Sequence, residues 1–104
     1  MIARVWRGWT LVADAQTYAD HAIDRVFPSL EAIKGYRGAL LLRKDEPSRV
    51  EFVVLTTWES LTAVRGFAGH QIERAVIEPA ALNVLTEFDT IVRHYELVHR
   101  TQVE

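Results

Sequence analysis

The chain has 104 residues, no cysteine and a formal net charge of −2, with 49% apolar and 25% charged residues. That length and composition are those of one globular domain, residues 1–104, able to bury a core without staples. They exclude disulfides, thiolate metal sites and a cysteine nucleophile, and they supply no basic field for nucleic acid or anionic lipid.

The N-terminus "MIARVWRGW" is not a charged leader followed by an apolar run, and no stretch approaches the roughly 20 apolar residues of a membrane span. A cytoplasmic location is the expectation. Residues 2–12, rich in β-branched and aromatic types, predict a first strand. Asp14 stands as an N-cap before apolar or aromatic residues at 15, 18, 19, 22, 26, 30 and 33, the spacing of a helix with one buried stripe. Pro28 should kink that helix or split off its last turn, and Gly35 should close it.

"YRGALLLRK" (36–44) and "VEFVVLTTW" (50–58) predict a hairpin through the turn residues "DEPSR". Ser60 can cap a second helix with Leu61, Val64, Phe67 and Ala68 on one face, weakened by Gly66 and Gly69. Pro79 suits the first turn of a further helix over 79–88, where Leu82, Leu85 and Phe88 recur at three-residue steps. "DTIVRHYELVH" (89–99) is the expected fourth strand. The order β-α-β-β-α(α)-β is the split βαβ of ferredoxin-like α+β folds, a four-stranded antiparallel sheet with helices on one face.

Both faces of that sheet are apolar. Val53 and Leu55 oppose Val50, Phe52, Val54 and Trp58 on the third strand, and Leu40 and Leu42 oppose Ala39 and Leu41 on the second. Helices cover one face only. The other calls for a second copy packed sheet to sheet, since large apolar patches are rarely left in water.

The "RGWT" that ends the first strand, "IKGYRGALLLRK", the "VVLTTWES" junction and the closing "VRHYEL" resemble the antibiotic biosynthesis monooxygenase (ABM) family of the dimeric α+β barrel superfamily. The resemblance spans nearly the whole chain. It implies a homodimer through the sheet faces and a small-molecule pocket between helices and sheet. One kind of enzyme in that family oxidises polycyclic phenols with molecular oxygen and no cofactor. Another binds haem and opens its ring, using a first-strand asparagine, a tryptophan late in the second helix and a later histidine. A gap-free count from Trp58 puts Arg7, Phe67 and Ile77 at those three positions, which disfavours haem degradation and leaves no cofactor expected.

Oxidation without a cofactor needs an easily oxidised substrate, a base with a pKa near the working pH and apolar walls. His70, three residues after Phe67, is the candidate base, and Arg7 the candidate holder of a phenolate or carboxylate. Trp9 shares the face of Arg7. Tyr18 and His21 lie three apart on the first helix, while Phe67 and His94 complete the candidate substrate contacts. For each there is a plain structural alternative: Arg7 paired with an acid at an edge, His70 turned to water, the aromatics as core. No histidine pair has metal-ligand spacing, so no metal is expected. Glu73 and Glu78 belong to a solvated helix face on this reading. Two functions compete: a monooxygenase-like enzyme for a small aromatic or polyketide-type compound, and a non-catalytic small-molecule-binding or scaffold dimer of the same fold. An RNA-recognition domain shares the element order, but the third strand has no basic residue.

Overall fold

A computed structural model describes residues 1–103. Strand β1 (Ile2–Thr10) leads into a continuous helical path. That path comprises a 3-10 turn (Val12–Asp14), α1 (Ala15–His21), a π-helical segment (Ala22–Val26) and α2 (Phe27–Leu30). Then come β2 (Tyr36–Asp45), β3 (Val50–Trp58), α3 (Leu61–Ala68), α4 (Pro79–Leu82), β4 (Leu85–Phe88) and β5 (Arg93–Glu96). The sheet is antiparallel with order β2-β3-β1-β4, and β5 also pairs with β1. The ferredoxin-like α+β arrangement is therefore the one expected.

Two local expectations, at Asp14 and over 79–88, are corrected. Asp14 makes no side-chain cap bond; it ends the 3-10 turn that precedes α1. Pro28 lies, as expected, in a last turn split from the helix: α2 is set apart from α1 by the π-helical segment. The wider π turn lies immediately before it, where an α-helix would drive the proline ring against the carbonyl four residues back. The segment 79–88 is only four residues of helix, after which Leu85–Phe88 forms a strand against Gly8–Thr10. The fourth sheet position is thus shared by two short strands, with β5 beside Ile2–Val5. Pairing with the open edge of β1 outweighs the helical spacing of Leu82, Leu85 and Phe88, because that edge's backbone groups need partners.

Register fixes the two faces. Ile2 stands opposite Trp58, Arg4 opposite Thr56, Trp6 opposite Val54, and Thr10 opposite Val50. These even-numbered positions face the helices. Two core clusters lie on that side. One gathers Trp6, Tyr18, Ala22, Val50 and Phe52, and the other Ile2, Leu30, Trp58, Val64 and Ile72. Arg4 and Thr56 lie between them. The opposite face presents Val5, Val53 and Leu55 half-buried, with Leu40 57%, Leu42 49% and Tyr95 53% exposed.

Gly8 allows the Trp6 ring to lie across the strand, since a Cβ at position 8 would overlap the ring of Trp6. Trp6 is fixed there by its Nε1, which donates to the Asp89 carbonyl at 2.9 Å. Gly8→Ala should therefore displace Trp6 and destabilise the fold by about 1–3 kcal/mol, as overpacking does; equilibrium urea unfolding checks this, and unchanged stability would contradict it.

Candidate functional site

Between the two core clusters lies a cavity of about 100 Å³. Its sheet wall carries Arg4, Trp6, Val54 and Thr56. The helical path supplies Tyr18, His21, Ala22, Val26 and Leu30, and α3 supplies Phe67. The remaining wall is irregular chain between α3 and α4, through Val76, Ile77 and Glu78. An enclosed apolar cavity of about 150 Å³ holds benzene, so a larger ligand must extend through the mouth or shift a wall. Two walls suit that: the irregular stretch 69–78 and the π-helical segment, a feature frequent at functional sites.

His21 borders this space with its side chain 13% exposed. Its Nε2 is buried and makes no hydrogen bond to the described residues, yet it lies 3.5 Å from Glu78 Oε2. The separation is that of an ion pair whose geometry falls short of a hydrogen bond. Buried polar atoms are rarely left unbonded, so an exception calls for an explanation. Sequence reasoning missed Glu78, which sits just before Pro79 on irregular chain rather than on a solvated helix face. Nothing in the local pattern signals its approach to a helix more than fifty residues earlier.

Arg4 is the second departure. It is 5% exposed, and its guanidinium donates to the carbonyls of Ile72 and Arg74, the latter at 2.8 Å. Its Nη1 lies 2.9 Å from His94 Nε2, and its Cζ stands 5.5 Å above the Phe67 ring. Burial lowers its pKa to about 10, partly opposed by the charge of Glu73, so it stays cationic at neutral pH. Phe67 is stacked on Trp58, with centroids 5.5 Å apart. Tyr18 packs on Trp6 and Phe52, and burial raises its hydroxyl pKa, keeping it protonated.

The structure brings Tyr18, His21 and Phe67 to one cavity and places the other candidates elsewhere. Arg7 and Trp9 do share a face, but it is the face away from the helices. Arg7 Nε pairs with Asp89 Oδ2 at 3.2 Å, and the guanidiniums of Arg7 and Arg49 lie 5.5 and 4.9 Å from the Trp9 ring centroid. His70 is exposed beyond the end of α3, which Gly69 terminates at φ 80°, so it does not follow Phe67 on a helix face. His94 faces the helix side opposite Arg4 in register, touching the cavity only through that arginine, while Tyr95 turns to the open face. The gap-free count also divides: Phe67 and Ile77 line the cavity, whereas Arg7 lies behind the sheet.

The elements define a class: a ferredoxin-like α+β domain with an aromatic pocket under its helices and a bare apolar sheet face. No protein-family model matches the chain, and neither does any curated protein. Solved structures do match over nearly the full length. A protein of unknown function from Nitrosomonas europaea aligns with TM-score 0.70 and 19% identity, covering 99% of this chain and 94% of its own. A candidate antibiotic biosynthesis monooxygenase from Bacillus cereus aligns at 0.66 and 15%, covering 100% and 97%. The haem degrader MhuD from Mycobacterium tuberculosis, with two haems in its active site, aligns at 0.61 and 21%, covering 98% and 100%. The chain has the fold of these structures.

The His94 imidazole is held below its ordinary 6.5, first by burial and then by the Arg4 charge, with Glu73 acting the other way. An imidazole whose folded pKa is depressed takes up its proton more readily unfolded, so stability falls as pH drops through about 6.5 towards the folded pKa. An NMR titration of the His94 ring should give a midpoint below 6.5, moving upward in Arg4→Gln; an unshifted midpoint would contradict the contact.

Proposed function

We propose that this chain is a member of the ABM family and a monooxygenase-like enzyme for a small aromatic or polyketide-type compound. On this reading it works without a resident cofactor, and its site is the cavity under the helices. The observation that carries the reading is the His21 imidazole, with a buried, unbonded Nε2 beside Glu78 and next to the aromatic side chains of Trp6, Tyr18 and Phe67. Nε2 takes the phenolic or enolic proton of the substrate. The Glu78 carboxylate stands 3.5 Å from that nitrogen. The electron-rich anion then reduces molecular oxygen: a ring methylene becomes a carbonyl, one oxygen atom enters the product, and the other leaves as water with the two hydrogens. Base catalysis is thereby assigned to His21 in place of His70.

The haem-degrading structure of the same fold makes haem the alternative to test. By the gap-free count Phe67 and Ile77 take the places of that chemistry's tryptophan and histidine, and both line the cavity, which supports the cofactor-free reading. A second copy of the chain is the proposed partner, covering the open face around Leu40, Leu42, Val53 and Leu55. The fold resemblance and the exposure of Leu40 and Leu42 support that pairing.

Oxygen uptake with anthrones, which carry the ring methylene that the step oxidises, should be measurable. His21→Ala should lower kcat/KM by about 10²-fold, the scale of general-base catalysis, with Glu78→Gln less damaging and His70→Ala neutral. Ligand binding without turnover by any compound would favour a binding-only dimer, and stoichiometric haemin binding with a strong Soret shift would transfer the assignment to haem. Light scattering should give twice the 11.9 kDa chain mass, reverting to the single chain in Leu42→Asp.

A further inference from the structure

The sheet wall of the cavity carries a positive charge that no carboxylate of the described residues pairs. Arg4 is the buried charged side chain of that wall, and its partners are two backbone carbonyls and an imidazole. None of these carries a negative charge. His94 stays neutral and accepts from the guanidinium, so it neither cancels the charge nor adds to it. Glu73 acts on Arg4 from an exposed position without reaching salt-bridge distance, and the Glu78 carboxylate stands at His21 and makes no salt bridge to Arg4 among the described residues. A guanidinium out of water is costly unless an opposite charge meets it. It is also the group that best matches a carboxylate, through forked donors in one plane. Nε of Arg4 takes part in none of the three contacts. The neighbouring cross-strand residue, Thr56, adds a hydroxyl to the same wall.

We propose that Arg4 is the anion-binding residue of the pocket and that its ligand is an aromatic acid, with the carboxylate against Arg4 and the ring between Phe67 and Tyr18. This deepens the functional reading above and rests on it for the aromatic part. The role first sought at Arg7 passes to Arg4, because Arg7 already has the carboxylate of Asp89. Acidic substrates are thus selected by the sheet wall, and proton transfer is left to His21.

The test compares 4-hydroxybenzoate with its methyl ester, equal in ring and hydroxyl but not in charge, by calorimetry or ligand-observed NMR on the whole chain. The acid should bind about ten-fold tighter than the ester, the scale of one charge-assisted hydrogen-bonded contact. Arg4→Gln should bring the ratio close to one, and Arg4→Lys should restore most of it. Equal binding of acid and ester by the native chain overturns the assignment of Arg4 and leaves the aromatic pocket standing. Binding of neither overturns both. Should Arg4→Gln loosen the chain at Ile72 and Arg74, ester affinity falls as well; the native ratio and its persistence in Arg4→Lys then decide, and a preference for acid lost in Arg4→Lys but not in Arg4→Gln counts against the proposal.

Discussion

One cross-strand step governs this molecule. At Arg4 and Thr56, β1 and β3 place two polar side chains on the helix face, while the steps on either side place Ile2 with Trp58 and Trp6 with Val54. A wholly apolar row would let the helices close on the sheet as a single core. The polar step divides the core into two clusters, and the cavity occupies the division. Arg4 must then satisfy its donors there, and it does so by drawing in the carbonyls of Ile72 and Arg74. Those bonds fix part of the irregular chain that walls the pocket. Thr56 spends its acceptor capacity on Trp58 Nε1 at 2.9 Å, tying the polar step to the aromatic cluster beside it.

The irregular chain is held from a second side. Ala75 N donates to Thr90 O and Val92 N to Glu73 O, so the stretch that interrupts β4 and β5 is also the stretch that anchors the wall. Dividing the edge strand therefore serves the site. A continuous fourth strand would have satisfied β1 alone. The interrupted one leaves 89–92 free to bind the chain carrying Ile72, Arg74 and, further on, Glu78. Asp89 has two duties: its carbonyl orients Trp6 in the pocket while its carboxylate holds Arg7 behind the sheet.

The two sides of the one sheet thus differ sharply in character. The helix side has aromatic walls, a buried cation and an imidazole–carboxylate pair. The other side has exposed leucines at its centre and, around Trp9, a rim of arginines paired with Asp89, Glu46 and Glu87. Such rim pairs add little stability in water.

The alternation of apolar residues and the strand-to-helix junction at "TTWES" sufficed for the ferredoxin-like order, the hairpin and the Ser60 cap, which accepts from Ala63 N at 3.1 Å. These are local: each depends on residues a few positions apart. Which parity of β1 faces the helices was not local, because Trp6 and Trp9 are equally apolar and lie on opposite faces. That ambiguity is why Arg7 stood out in the sequence and Arg4 in the structure. His21 was legible as a candidate, but its partner Glu78 was not, since 57 residues separate them in the chain and only the folded backbone brings them together. The sequence by itself determined β1, the hairpin of β2 and β3, the Ser60-capped helix and the two apolar faces, through side-chain periodicity. Tertiary structure alone decided which arginine is buried, where β4 begins and which histidine reaches the cavity, because these depend on which backbone and side-chain groups remain without partners once the sheet has formed.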